Sequence, residues 1–267
     1  MEKERLTIFI DSFDGYSDLW DIYFKIFNHY WNDCKYRKVL VTNNLIPNYK
    51  NVDVINVGNE TNWIDRTLNA LEKIDTEYVL FSLEDYFLGK KIINKDIENI
   101  LDFMDNKKIN IYKLYPWPGT RHKFKDSNIS YLGGYTKNDA YAINGALGIF
   151  RTSYLIELIE NCKGAESSFD FEYYYVNNEN NINSCIDFGK ICYDKRDILG
   201  YHNGVIRGKW LRKTIKFYKK EGIDIDFSHR EVMPLSQTLW YEIRSKNPKI
   251  IRKILRKIFK KSSLGLK

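Results

Sequence analysis

The sequence predicts an α/β fold in which a mainly parallel sheet is flanked by helices. Short apolar runs rich in β-forming residues alternate with longer segments in which apolar residues recur at helical spacing. The central run, residues 77–88, is almost continuously apolar at its start, which favours a buried strand, although periodicity alone leaves a buried helix segment open. The 267 residues suit one large domain with an appendage.

The first predicted strand, residues 6–10, runs into a small polar loop that starts with Asp11 and Ser12. This loop suits a ligand, but it lacks the G-x-G-x-x-G spacing of a dinucleotide site, and Asp14-Gly15 is equally typical of a plain turn. Residues 19–31 then show helical periodicity. We expect the following side chains to form its buried face: Leu19, Ile22, Tyr23, Ile26, Phe27 and Tyr30.

Alternating strands and helices continue along the chain and imply right-handed crossovers between parallel strands. After about residue 120 the predicted elements become shorter and are interrupted by glycines. The remaining predicted elements are strands at 37–42 and 52–57, a helix at 63–74, the central strand, a helix at 94–104 with Asn94 as N-cap, a strand at 109–115, β-leaning segments at 127–135 and 140–150, and a helix at 152–161.

Two adjacent carboxylates, Glu84 and Asp85, follow the apolar part of the central strand. Ligands in open α/β sheets bind beyond the carboxyl ends of the strands, so we expect Asp85 to face a metal-bound phosphate there. Because side chains alternate along a strand, the two carboxylates should point to opposite faces. The structural alternative is that one of them caps the next turn or pairs with a basic residue.

The net charge of +7 comes from the C-terminus, because residues 244–267 hold ten Lys or Arg and no acidic residue. Without these ten charges, residues 1–243 have a net charge of −3. The segment 249–261 places isoleucines, Leu255 and Phe259 on one helical face and basic residues on the rest, which predicts binding to an anionic membrane surface. Docking on the protein's own core and contact with nucleic acid are the alternatives, and the acidic body disfavours nucleic acid.

The composition also limits the cellular compartment of the protein and excludes some protein classes. No run reaches the roughly 20 apolar residues that span a bilayer, and we expect no signal peptide. The four cysteines lack the C-x-x-C spacing of a zinc site and do not suggest a disulfide framework. A reducing, cytoplasmic location, peripheral at the inner face of the membrane, is therefore the expectation.

Four short motifs follow one another along the chain: WIDR at 63–66, LEDYFL at 83–88, SFDFE at 168–172 and YHNGVIRGKW at 201–210. Their order resembles that of the GT-A type nucleotide-sugar glycosyltransferases, especially bacterial enzymes that build capsule or O-antigen. The resemblance covers roughly residues 5–235. It implies a domain at 1–243, with a nucleotide half at about 1–120 and an acceptor half at about 121–243, followed by the basic tail at 244–267.

The resemblance implies transfer of a sugar from a nucleotide diphosphate to a growing glycan or a lipid-linked acceptor. In the family an Asp-x-Asp motif holds a divalent cation, but Leu83 stands two positions before Asp85, so that motif is absent. Asp85, His202 and water remain the candidate ligands for Mn²⁺ or Mg²⁺, and basic residues are the alternative. His202 alone is equally consistent with a structural role.

The resemblance also assigns the chemical roles. Glu172, or Asp170 as second choice, would be the base for an inverting transfer and would lie before a helix; a solvated edge or a helix N-cap is the alternative. Arg207 and Lys209, in a loop before a helix starting near Lys209, would bind the diphosphate. Position in the sheet, not the resemblance, suggests the candidates for the nucleotide, which stand at the ends of early strands or open a helix there: Asp11, Ser12, Asn43, Asp65 and Arg66, together with Asp85 on the phosphate side.

Two other functions stay open at this point. A sugar-phosphate nucleotidyltransferase on a similar fold would normally show a Gly-rich basic signature after the first strand, and the loop at 11–15 lacks one. A non-catalytic carbohydrate-binding or scaffold relative would keep the fold and lose the chemistry, which is consistent with the missing Asp-x-Asp motif.

Overall fold

The computed structural model describes residues 4–58, 62–117, 119–125, 128–145, 147–162, 165–177 and 184–246. The chain divides into two compact units, residues 1–202 and 203–267. The predicted fold class is confirmed in the first unit, where a mixed, mainly parallel sheet is flanked by helices.

The described residues of the first unit form an eight-stranded sheet in the order β3-β2-β1-β4-β8-β6-β9-β7. Strands β1 to β4 are all parallel, whereas β8 runs antiparallel to both of its neighbours. The strands of this sheet are β1 (Leu6–Asp11), β2 (Arg37–Thr42), β3 (Asp53–Asn56), β4 (Tyr78–Leu83), β6 (Ile111–Lys113), β7 (Leu132–Gly134), β8 (Gly148–Arg151) and β9 (Ile191–Asp194).

Helices cover both faces of this sheet because alternate side chains of its strands point to opposite sides. On β4, Phe81 belongs to a core cluster with residues of three helices, whereas the next residue, Ser82, meets the hydroxyl of Tyr23 at 3.2 Å. The predicted buried face of the first helix is confirmed at every position. The helices are α1 (Trp20–Tyr30), α2 (Trp63–Leu71), α3 (Asn94–Lys107), α4 (Thr152–Glu160) and α5 (Ser168–Asn177).

Three local predictions need correction. The apolar run at 77–88 is not one strand: β4 ends at Leu83, the carboxylate pair forms a turn, and a two-residue strand, β5 (Tyr86–Phe87), follows. Asn94 is not an N-cap, because its side-chain oxygen accepts a hydrogen bond from the Trp31 indole at 2.8 Å. Most of the β-leaning segment 140–150 is loop, and its strand starts only at Gly148.

The second unit contains a hairpin and two described helices. The turn of the hairpin is Arg207-Gly208, and both residues have positive φ, as two-residue hairpin turns require. The helix predicted to start near Lys209 therefore starts later, because Lys209 belongs to a strand. Strand β10 (His202–Asn203) lies at the boundary of the units, and the second unit holds β11 (Val205–Ile206), β12 (Lys209–Trp210), α6 (Arg212–Lys220) and α7 (Leu235–Lys246).

The amphipathic segment predicted at 249–261 lies outside the described residues. Across the residues that the structure does describe, no helix combines the length and the apolar character needed to cross a membrane.

Candidate active site

The carboxyl edge of the parallel strands gathers most of the acidic residues that the sequence singled out. Asp11 is the last residue of β1 and lies in register with Leu83, the last residue of β4. The residues that follow the two strands, Ser12 and Glu84, are also neighbours, because their side chains are hydrogen-bonded. This edge is where ligands bind in open α/β sheets.

Asp11 forms a buried group with the start of α2. The hydroxyl of Thr67 donates to Asp11 Oδ2 at 3.0 Å, and the Arg66 guanidinium lies 3.7 Å from Asp11 Oδ1. Burial raises the pKa of Asp11, while the positive charge of Arg66 and the hydroxyl of Thr67 act in the opposite direction. The Arg66 guanidinium also lies 5.4 Å from the centre of the Phe13 ring. The predicted nucleotide residues Asp11 and Arg66 are therefore in contact with each other.

Ser12 connects the first helix to the carboxylate pair. Its Oγ accepts a hydrogen bond from the Trp20 indole at 2.8 Å, and its hydroxyl interacts with Glu84. Burial, together with the charge of Asp85, raises the pKa of Glu84 to about 8. Glu84 is 6% exposed, whereas Asp85 is only half-buried, so the two neighbouring carboxylates occupy different environments.

Asn43 joins the ends of the first three strands rather than standing alone. Its side-chain amide donates to the Gly58 carbonyl at 3.0 Å, and its backbone N–H donates to Asp14 Oδ1 at 2.9 Å. The other oxygen of Asp14 accepts from the N–H groups of Asn44 and Leu45. These bonds shape the loop after β1, which is the loop expected to meet a ligand.

Two of the predicted acidic residues take part in the hydrogen bonds at the start of a helix. Asp65 exchanges hydrogen bonds with Asn62 at the start of α2, its N–H donating to the Asn62 oxygen at 2.8 Å. Asp170 accepts from the N–H and the hydroxyl of Ser167 at the start of α5, and these hydrogen bonds lower its pKa. Both carboxylates are exposed. Asp170 caps α5, whereas the cap of α2 is Asn62, and the Asp65 carboxylate accepts from the Asn62 side chain.

Glu172 lies inside α5, not before it as predicted, and faces the site. The buried Phe171 and Tyr175 anchor the helix, Phe171 against Trp63 at a ring distance of 5.5 Å. The Glu172 carboxylate accepts a hydrogen bond from the Gly145 N–H at 3.2 Å. Burial raises its pKa, and the Gly145 N–H and the nearby Lys113 ammonium limit that rise.

Tyr86 links Glu172 to the carboxylates after β4. Burial raises the pKa of its hydroxyl, and the charges of Asp85 and Glu172 add to this effect. Tyr201 packs on Tyr86 with ring centroids 5.2 Å apart. The backbone also brings Glu172 to β4, because a Cβ atom at Gly145 would lie 3.9 Å from both Glu172 Oε1 and the Phe81 ring.

His202 lies in the same unit, close to Gly89. A Cβ atom at Gly89 would lie 2.6 Å from the imidazole Cδ2, so only glycine leaves room for this ring. Arg207 and Lys209 belong to the second unit, where Arg207 forms the hairpin turn and Lys209 pairs with Glu231.

Within the described part of the chain, no three or more His, Cys, Asp or Glu side chains cluster as metal ligands. A smaller set of ligands can still bind Mg²⁺ or Mn²⁺. These hard cations often take only one or two protein carboxylates and complete their coordination shell with substrate phosphates and water. The half-buried carboxylate of Asp85, with Glu84 beside it, suits that arrangement.

Two contributors to the surroundings of Glu172 were not predicted from the sequence. Lys113 is fully buried at the end of β6, and Gly145 supplies the N–H group that binds Glu172. A lysine within the apolar run IYKLY was a signal for the first. A backbone donor in an irregular loop leaves no such signal.

Fold and site together define an α/β protein with a cluster of buried and half-buried carboxylates at the carboxyl edge of its sheet. No protein-family model and no curated protein matches the chain. Among solved structures, it is similar to S. aureus TarS, at 14% identity and a TM-score of 0.46 over 84% of this chain and 41% of that one. The chain thus spans less than half of that protein.

Two further solved structures show similarly low sequence identities and TM-scores. S. aureus TarS 1-349 in complex with UDP matches at 14% identity and a TM-score of 0.47, over 99% of this chain and 76% of that one. A cytidylyltransferase from Leptospira borgpetersenii serovar Hardjo-bovis matches at 14% identity and a TM-score of 0.38, over 68% and 72%. These TM-scores lie below 0.5, so the functional proposal depends on the residues of the site.

Proposed function

We propose that this protein is a GT-A-like glycosyltransferase that moves a sugar from a nucleotide-diphosphate sugar to a surface glycan or a lipid-linked acceptor. The observation that carries the proposal is geometric: Gly145 lies against both the Glu172 carboxylate and the Phe81 ring of β4, which places Glu172 beside the strand that Asp85 follows. Glycosyl transfer needs two such groups, one to accept a proton from the acceptor and one on the side of the leaving diphosphate.

Glu172 is the proposed base. Its raised pKa makes it a stronger base than an exposed carboxylate, and the Gly145 N–H orients one of its oxygens. In this role it takes the proton of the acceptor hydroxyl as that oxygen attacks the anomeric carbon, which inverts the configuration there. Asp170 is a poorer choice because its carboxylate is engaged in capping α5.

Asp85 is the proposed residue on the diphosphate side, with His202 as a second ligand if a cation is used. A bound Mn²⁺ or Mg²⁺ would supply positive charge for the leaving diphosphate. Arg207 and Lys209 are the proposed direct phosphate contacts, on the sequence resemblance alone. Asp11, Ser12 and Arg66 would line the nucleotide side, with Asn43 and Asp65 shaping the surrounding loop and helix.

A thermal-shift panel of nucleotide diphosphates and nucleotide sugars, with and without Mn²⁺ or Mg²⁺, tests the proposal. A ligand that binds only the folded protein raises its melting temperature. We expect one nucleotide to raise it, and the metal-dependent part of the shift to disappear in Asp85→Asn. Asp75→Asn, at a side chain 84% exposed, is the matched control. No shift with any nucleotide would contradict the proposal and favour the non-catalytic alternative.

We further propose that the basic segment 249–261 binds anionic lipid at the cytoplasmic face of the membrane. Its alternation of isoleucines with lysines and arginines supports this proposal. Each Lys or Arg near an anionic membrane surface contributes about 1 kcal/mol to the free energy of binding. Truncation after Lys246 should abolish sedimentation with anionic liposomes. The full chain should not sediment with neutral liposomes. Equal binding by the truncated chain would refute this proposal.

A further inference from the structure

The loop at 141–145 is held from two sides in the site. At one end, the Lys113 ammonium donates a hydrogen bond to the Tyr141 carbonyl at 2.7 Å. At the other end, the Gly145 N–H donates to Glu172 Oε1 at 3.2 Å. One short stretch of backbone therefore connects a buried cation to the carboxylate proposed as the base.

Lys113 is shielded from water on all sides. Its side chain lies at the end of β6 with no exposed area, and its ammonium is 4.8 Å from the centre of the Tyr135 ring. The backbone of Tyr141 has a φ of 63°, a left-handed conformation unusual for tyrosine, and its ring packs on Trp117 at 5.7 Å. Lys113 therefore helps to hold a loop conformation that the chain would not adopt by itself.

We propose that Lys113 is a positioning residue for Glu172: it fixes the loop that aims the carboxylate and supplies the positive charge that keeps it ionised. A buried lysine is costly, so it is expected where the charge has a partner. This inference deepens the proposed function, because it depends on that function for the role of Glu172 as base.

The groups around the pair define the electrostatics. Glu172 accepts a hydrogen bond from the Gly145 N–H, and it interacts electrostatically with the Lys113 ammonium and the Tyr86 phenol. Lys113 is faced by the Tyr135 ring, the Tyr141 carbonyl and Glu172. Burial lowers the pKa of Lys113 to about 7, and the charge of Glu172 opposes that fall. The two groups thus favour each other's charged forms.

Lys113→Met tests the inference because methionine fills similar space without a charge. We expect NMR titration of the ¹³C-labelled Glu172 carboxyl to show a higher pKa than in the wild type. The acidic limb of the pH–rate profile should move to higher pH. At neutral pH we expect kcat to fall about tenfold with the donor KM within about twofold. Lys38→Met, at a buried lysine near the amino end of β2, is the matched control and should change neither quantity.

The reciprocal variant keeps the test informative if Lys113→Met fails to fold. Glu172→Gln should lower the pKa of the Lys113 ammonium, followed by its ¹³Cε shift, since coupling between two sites is mutual. An unchanged Lys113 titration would overturn the inference. A shifted titration in Glu172→Gln, together with a wild-type protein that turns over no nucleotide sugar, would overturn the proposed function and leave the coupling between Lys113 and Glu172 established.

Discussion

At the scale of single residues, the environments of similar side chains differ more than their sequence positions suggest. Glu84 and Asp85 are adjacent, yet one is buried beside Ser12 and the other is half-buried near Tyr86. Asp170 and Glu172 are two positions apart, yet one caps a helix and the other faces the site. Chemical roles follow these environments, because burial and partners set the protonation state.

Replacement of Glu172 is the most direct residue-scale prediction. Glu172→Gln keeps the shape and the hydrogen bond from Gly145 but cannot take a proton. Turnover should therefore fall by a factor of about 10² or more, while binding of the nucleotide stays unchanged. Initial rates and calorimetric nucleotide titrations measure the two quantities.

Glu160→Gln, at an exposed residue at the end of α4, is the control and should behave like the wild type. Near-normal turnover in Glu172→Gln would remove this residue from the mechanism.

Some residues of the candidate site can be predicted from the sequence and others cannot. Asp11, Ser12, Arg66, Asp85 and Glu172 were predicted because polar residues at strand ends and in short motifs are visible in the chain. Lys113 and Gly145 were not, because their roles depend on contacts between segments about 30 to 60 residues apart.

At the scale of elements, the start of α2 places two side chains on Asp11. The cap formed by Asn62 and Asp65 defines where the helix begins, and the next residues, Arg66 and Thr67, then reach Asp11 from the first turns. A substitution in the cap should therefore change the positions of Arg66 and Thr67 and lower the affinity for the nucleotide.

Asn62→Ala should lower the free energy of unfolding by about 1 kcal/mol, because the Asp65 N–H loses its acceptor. Nucleotide affinity should also fall, since Arg66 and Thr67 follow directly. Urea unfolding and nucleotide titration provide the measurements. Asn62→Ser, which retains a capping oxygen, should restore most of both. If alanine and serine behave alike, the cap does not hold this helix start.

The elements β1, β2, α1 and α4 were predicted well. Strands β1 and β2 are buried on both faces and read as short runs of β-forming residues, whereas the helices bury one face and show apolar residues at helical spacing. The predictions failed where a local feature overrides the apolar pattern. Strand β4 ends at Leu83, before the charged pair Glu84 and Asp85, although the apolar pattern continues to residue 88. Arg207 and Gly208 both have positive φ and form a hairpin turn where a helix start was expected.

At the scale of the whole molecule, the buried Lys113 links stability to pH. Its pKa falls from 10.5 to about 7 on folding, so between these values the unfolded chain binds a proton that the folded protein does not. Stability from this group therefore rises with pH across that interval. Each unit of difference in pKa corresponds to about 1.4 kcal/mol.

Lys113→Met should remove this dependence. Relative to the wild type, the variant should gain more stability at about pH 6 than at about pH 10, where the lysine is mostly neutral in the folded protein. Urea unfolding at both pH values measures the difference. Exposed Lys137→Met should show no comparable trend. An equal effect of Lys113→Met at both pH values would mean that the ammonium is not destabilised by folding.

The reversed strand β8 has a consequence for how such a protein diversifies. Because β8 runs against β4 and β6, the chain arrives at the site just before Gly148, on the same edge that the parallel strands reach at their ends. Residues 141–145 lie just ahead of this strand; their backbone provides the Tyr141 carbonyl and the Gly145 N–H, and Ala142 and Ile143 pack in the core. Insertions or deletions here would displace both backbone contacts, so we expect this loop to keep its length in relatives that share the site.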